Sequence, residues 1–353
     1  MHEDLTPKRG RGAPANPPNR FEALSYARDP EWNDPEDPGL ETQFFRDTSR
    51  SIIAYNDSPD VGFDASINPY RGCEHGCIYC FARPTHEYLG FSAGLDFESK
   101  ILVKEDAPEL LRRELATPGW KPQPLAISGV TDPYQPIERR LQLTRRCLEV
   151  LAEFRNPVVI ITKNHLVTRD VDLLSELAHY KAARVFLSIT TLDGHLARVM
   201  EPRASHPTRR LAAIKTLSLA GVPTGVLTAP VIPGLNDHEL PSIIAAAARA
   251  GVQSAGYVPL RLPYGLGPLF EQWLSQHFPG RKDKVLHRIR AMRGGKLNDP
   301  NFGSRMRGEG IFAEQIGALF ALACRRAGID GRGPALSTAA FRVPSASQLS
   351  LFE

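Results

Sequence analysis

The chain lacks any apolar run approaching the roughly 18 residues that a membrane-spanning helix needs. Its opening residues, MHEDLTPKRGRG, contain no apolar segment of the kind found in a secretory signal. Neither a membrane span nor export is therefore expected. Cysteine is scarce: five in 353 residues, an odd number unevenly spread. That argues against a disulfide framework and for a reducing cytoplasm. No residue class is in large excess either. With 42% hydrophobic and 23% charged residues, a disordered, collagen-like or coiled-coil protein is excluded. What remains is a folded chain long enough for one large or two modest domains.

The formal charge of +4 conceals an asymmetry. Residues 281–334 hold 12 Lys and Arg against 5 Asp and Glu, whereas residues 1–50 hold 7 against 10. A basic block is the usual footprint of a polyanion partner, and DNA is the partner expected for residues 281–334. A solvated helix face is the plainer alternative.

Residues 1–60 read as an irregular arm, rich at first in Pro, Asn, Asp and Gly, either mobile or wrapped over the surface and with no core of its own. From about Asp64 the pattern changes. Six short apolar runs, at 64–70, 124–130, 157–163, 184–190, 224–230 and 254–260, alternate with segments of helical period at 107–116, 137–154, 170–180, 207–221 and 237–251. Strand–helix alternation predicts parallel strands joined by right-handed crossovers, and continuously apolar strands predict burial on both faces. A partial or complete barrel over residues 61–265, or an open doubly wound sheet, follows. In each, chemistry belongs at the C-terminal ends of the strands. Helices near 266–278, 283–293 and 310–327 form a basic appendage (266–332), and 333–353 reads as a flexible tail.

The first predicted strand runs into RGCEHGCIYCFARP, which puts Cys73, Cys77 and Cys80 in a Cys-x3-Cys-x2-Cys loop. Three soft sulfur donors within eight residues point to zinc or to an iron–sulfur cluster. Zinc would need a fourth ligand, for which His75 and His86 are the neighbours. Cys147 and Cys324 lie in apolar stripes and read as core residues.

With an aromatic, Tyr79, just before the last cysteine, this loop resembles the signature of radical S-adenosylmethionine (SAM) enzymes. The resemblance implies an α/β fold, a partial (β/α)6 barrel. It also implies a [4Fe-4S] cluster on Cys73, Cys77 and Cys80 whose fourth iron is open to the amino and carboxylate groups of SAM. Reductive cleavage of SAM, fed by a donor such as flavodoxin or ferredoxin, then supplies a 5′-deoxyadenosyl radical that abstracts hydrogen. Polar residues at strand ends are the expected SAM contacts. Lys163 and Ser188 match positions that touch the SAM amino acid moiety in the spore photoproduct lyase-like branch, and Thr190 lies beside them. Asp132, in TDPYQP, follows the second strand, where many such enzymes hold the SAM amino group. Arg203, in MEPRAS, is a candidate partner for the carboxylate. Ile232 and Pro230, in TAPVIPGLND, are candidates to face the adenine.

GCxxGCxYCF, TDPYQPxE and TKN look most like the lineage of spore photoproduct lyase, a DNA repair enzyme. Two departures argue against that particular repair. The second strand, AISGVTD, has no cysteine to return hydrogen to the product, and Phe81 stands where the lyase has Tyr. Finally, Gln348-Leu349-Ser350-Leu351-Phe352 resembles the pentapeptide by which bacterial replication and repair proteins dock on the β sliding clamp. A DNA-repairing or DNA-modifying radical SAM enzyme is thus expected. The alternatives are the same core acting on RNA, protein or a small molecule, and a non-enzymatic zinc or iron–sulfur nucleic-acid-binding module.

Overall fold

In the computed structural model, residues 8–21, 41–329 and 333–344 are described. Their strands are β1 (Gln43–Arg46), β2 (Ile53–Tyr55), β3 (Ala65–Ile67), β4 (Tyr70–Arg71), β5 (Lys100–Val103), β6 (Leu125–Ile127), β7 (Val158–Thr162), β8 (Ala183–Ser188), β9 (Thr224–Val231) and β10 (Ser254–Pro259). The helices are α1 (Leu95–Ser99), α2 (Ala107–Leu115), α3 (Glu138–Leu141), α4 (Leu143–Phe154), α5 (Val171–His179), α6 (Gly194–Met200), α7 (Pro207–Leu219), α8 (Leu240–Ala250), α9 (Leu266–His277), α10 (Lys282–Ala291), α11 (Ser304–Arg307) and α12 (Gly310–Ala327).

The six apolar runs of the sequence become β3 and β6 to β10, paired in parallel in chain order. β2 adds antiparallel to the outer edge of β3, so β2 and β10 end the sheet and the barrel is partial. Helices α4, α5, α7 and α8 cover the convex face. There Val158, Ile160, Val185, Leu187 and Val226 pack with Leu148, Leu151, Leu174, Ile214 and Ile243. Burial on both faces was expected from the apolar runs, but the strands alternate. In β7, Val158, Ile160 and Thr162 are buried while Val159 and Ile161 are half-buried. The half-buried set faces the concave side, away from the helices.

The segment 137–154, expected as one helix, breaks at Gln142, which takes a left-handed φ of 53°. Glu138 supplies the reason. Its buried carboxylate accepts from Thr144 N at 3.1 Å and Arg145 N at 3.4 Å, so it caps the start of α4 from across the break. Tyr70 and Arg169 hold the same carboxylate at 2.5 and 2.7 Å.

Both ends of the described chain depart from expectation. Residues 8–21 wrap the cysteine loop, and Ala13 is buried with Cys77, Ile78 and Tyr79, so the arm does contribute to a core. The later part of that arm contains β1, which pairs with β5 in a small second sheet, and β2. At the other end, 333–344 is laid against the barrel instead of hanging free. Ser337 N donates to Lys181 O at 2.9 Å, Arg342 N to Phe154 O at 2.9 Å, and the Phe341 ring packs 6.2 Å from Phe154. The clamp-like pentapeptide lies outside the described residues. Among the described residues, no helix is long and apolar enough to cross a membrane.

Candidate active site

The cysteine loop leaves the C-terminal end of β3 and is fastened from every side. Cys73 N donates to Phe97 O at 2.9 Å, and Ile78 N to Met200 O at 3.1 Å. The fully buried Arg83 fills its underside, giving Nε to Cys77 O at 2.9 Å and Nη2 to Glu98 Oε1 at 2.5 Å. Glu98 in turn accepts Gly12 N at 2.9 Å and Ala13 N at 2.8 Å. The arm approaches so closely that a Cβ on Gly12 would lie 1.8 Å from Gly76 O, and Gly76 itself has a φ of 66°.

Cys73 and Cys77 are buried, Cys80 is half-buried, and all three are free thiols. Burial, and then the Glu201 carboxylate, push the Cys77 thiol well up, against the pull of Lys163. Burial and then Cys73 raise Cys80. No fourth cysteine is near, because Cys147 and Cys324 belong to the core beneath the helices. The two histidines are each engaged through Nε2, while the buried Nδ1 of each has no hydrogen-bond partner. His86 Nε2 bonds Lys100 O at 2.9 Å. His75 lies with Nδ1 3.3 Å from Asp132 Oδ2 and Nε2 3.2 Å from Asn164 Nδ2. Among the described residues, no three His, Cys, Asp or Glu side chains converge as ligands of one ion. A donor set of three thiols on one loop fits a [4Fe-4S] cluster with one open iron, and not a four-ligand zinc site.

Above the loop, Tyr79, Thr190 and Arg210 meet on one carboxylate. Glu201 accepts from the Tyr79 hydroxyl and the Arg210 guanidinium, and from Thr190 Oγ1 at 2.6 Å. Burial disfavours its charge, but Arg210 and then Lys163 outweigh that and hold Glu201 below the usual carboxylate range. Lys163, half-buried at the end of β7, has its Nζ 5.7 Å from the centre of the Tyr79 ring. Ser188 is buried on β8 and gives its hydroxyl to Ala229 O at 3.2 Å. Ile232 is fully buried and shares a cluster with Cys77, Tyr79 and Leu235. Cys77, Tyr79, Lys163, Thr190 and Ile232 are thus gathered at the strand ends around Glu201.

Two further predicted contacts already have partners within the protein. Asp132 accepts Thr162 Oγ1 at 2.7 Å, Lys163 N at 2.8 Å and Tyr134 N at 2.9 Å, besides facing His75. Its carboxylate is engaged within the protein, tying the cysteine loop to the end of β7. Arg203 pairs with Glu74 Oε1 at 2.9 Å and Thr42 Oγ1 at 3.1 Å, so it braces the loop from outside. Arg210 was missed, although a signal existed. It falls on the buried stripe of α7 with Ala213, Ile214 and Leu217, where a charge requires a partner.

A partial barrel of six parallel strands with a three-cysteine loop after the first defines the radical SAM class. The Radical SAM superfamily model matches residues 67–247, and the chain belongs to that superfamily. Uncharacterised proteins of Mycobacterium tuberculosis and Mycobacterium bovis are 36% identical over 248 residues, covering 69% of this chain and 72% of theirs. An uncharacterised protein of Methanocaldococcus jannaschii is 32% identical over 173 residues, 49% of this chain and 62% of that one. Among solved structures, a spore photoproduct lyase mutant with bound AdoMet and dinucleoside spore photoproduct is similar with a TM-score of 0.57. It is 16% identical, with 80% of this chain and 78% of that chain covered, a likeness of fold.

The chain is accordingly a radical SAM enzyme, with a [4Fe-4S] cluster and SAM as cofactors. Bound together, they supply a hydrogen-abstracting 5′-deoxyadenosyl radical by reductive cleavage of SAM. Cys73, Cys77 and Cys80 would hold the cluster. The residues around them supply rigidity, exclude water through Ile232 and its apolar neighbours, and place the Lys163 ammonium near Tyr79 and Cys77.

Proposed function

We propose that this radical SAM enzyme acts on DNA, repairing or modifying a base. The supporting observation is where the basic surplus lands. Arg281, Lys284 and Arg288, at and just before α10, line a cleft of about 480 Å³ with Gly234, Asp237 and Phe312. Arg288 is the only one of the three cations drawn onto Asp237, at 3.4 Å. Pro233 and Gly234, which follow Ile232 directly, also line the cleft, so it suits backbone phosphates flanking the reacting nucleotide. Lys163 and Ser188 orient the SAM amino acid moiety, with Tyr79, Thr190 and Ile232 shaping its surroundings. Electrons come from a flavodoxin or ferredoxin. Spore photoproduct repair itself is disfavoured, because β6 and its exit carry no cysteine and Phe81 has no hydroxyl.

The test is an anaerobic SAM-cleavage assay tracing deuterium between 5′-deoxyadenosine and candidate DNA substrates, with RNA and protein in parallel. Transfer with DNA alone supports the proposal, and transfer only with RNA or protein refutes it. Residues 348–352 are proposed to recruit the enzyme to the β clamp. Leu351→Ala with Phe352→Ala is expected to remove most clamp affinity while iron content and SAM cleavage persist. Unchanged clamp binding would remove the replication link.

A further inference from the structure

The partial barrel has a seam between its end strands, and the appendage bridges the mouth of that seam. Arg305 on α11 gives Nε to Asp60 Oδ2 at 2.6 Å and Nη2 to Ser58 Oγ at 2.6 Å, in the turn after β2. On the other side, Arg293 holds Arg305 O at 2.8 Å and Leu260 O, just past β10, at 2.9 Å. Both arginines are used up in this strap. Arg261 is not. It follows Leu260 on the rim, its Nη1 meets only the Met306 sulfur at 3.2 Å, and its buried Nε has no hydrogen-bond partner. No carboxylate of the described residues lies within ion-pair distance of it.

The guanidinium of Arg261 stands 5.7 Å from the ring centre of Phe81, the residue immediately after Cys80. That ring is 53% exposed, beside a cluster ligand in a loop otherwise buried. An exposed aromatic face next to a cation with open donors matches a planar ring carrying an anion. A neutral partner of any kind would leave the guanidinium donors unmet.

We propose that Phe81 and Arg261 form a nucleotide-binding subsite at the barrel mouth, where an unstacked base lies on Phe81 and its phosphate takes the donors of Arg261. The inference rests on the DNA reading above and adds that the reacting nucleotide is presented out of the helix.

The experiment is fluorescence anisotropy with the anaerobically reconstituted holoenzyme and a short single-stranded DNA, alongside the same DNA with a central abasic site. Phe81→Leu and Arg261→Ala are each expected to weaken binding about tenfold, and Phe81→Trp to retain it. The loss with Phe81→Leu should shrink on abasic DNA, whereas that with Arg261→Ala should persist. Iron content reports folding of each variant. If the parent binds and all three variants bind equally, the subsite is wrong and the DNA reading stands. If the parent binds no DNA at low salt yet cleaves SAM, the DNA reading fails and the subsite with it.

Discussion

The convex wall of the barrel and its C-terminal rim are built on opposite principles from the same strands. Beneath the helices the packing is apolar: Val158, Ile160, Leu148 and Cys147 are buried in one hydrophobic cluster. At the rim, fully buried charges face one another instead, Arg83 with Glu98 and Arg210 with Glu201. Apolar burial is non-directional and tolerates sliding, whereas a buried ion pair is tolerated only at one geometry. The wall therefore supplies stability and the rim supplies position. A loop that must hold three thiols around a cluster needs the second.

The sharpest way to break this contrast is to remove one cysteine from each region. Cys77→Ala is expected to lose iron and abolish 5′-deoxyadenosine formation, while Cys147→Ala keeps both. Iron analysis and product chromatography check it, and full iron loading of Cys77→Ala would overturn the cluster assignment. Next in size comes Arg83→Ala, which strands Glu98 without its cation and should destabilise by roughly 3–5 kcal/mol. Leu148→Ala in the wall should lose a similar amount, about 2–5 kcal/mol, through its cavity. Denaturant titration measures both, and iron retention separates them: only Arg83→Ala should also loosen the cluster loop.

A smaller effect is expected at Lys163, where replacement by Ala should weaken SAM binding by about 1.5–3 kcal/mol, and Ser188→Ala by less. Calorimetry with unchanged affinity for both would reject these contacts. The mildest test is acid. Burial raises the Asp132 pKa, but His75 outweighs it and holds the carboxylate low, at about 2. A group depressed in the folded state contributes stability above its unfolded value and loses it as pH falls through the folded one. Stability should thus decline from near pH 4, the ordinary carboxylate value, toward about 2. Asp132→Asn should flatten that limb of the stability curve.

The wall was almost fully legible in the sequence, because hydrophobic periodicity is local: each of β3 and β6 to β10 matches a predicted run, with β8 starting and β9 ending one residue outside it. The cysteine spacing was legible for the same reason. The rim was not. Glu98 and Arg83 sit in a segment with no clear period, and what joins them to Gly12 and Ala13 is contact across some 85 residues. The break at Gln142 was hidden too, because it depends on Glu138 turning back to cap α4. Asp132 and Arg203 were picked out as polar residues at strand ends, but the sequence did not reveal that each already had partners within the protein.

The laying of 333–344 beneath the strands has a kinetic meaning. Gly333 sits against Ser254 and near Arg184, at the starts of β10 and β8, and Arg342 is held at the end of α4, which leads into β7. Strands of five to eight residues put roughly 15–25 Å between that pole and the cysteine loop. A partner that grasps the chain beyond Pro344 pulls on an anchor at the far pole, leaving the mouth unobstructed. Under such a pull, tethering and turnover would proceed on independent clocks, one substrate leaving and the next entering while the anchor holds.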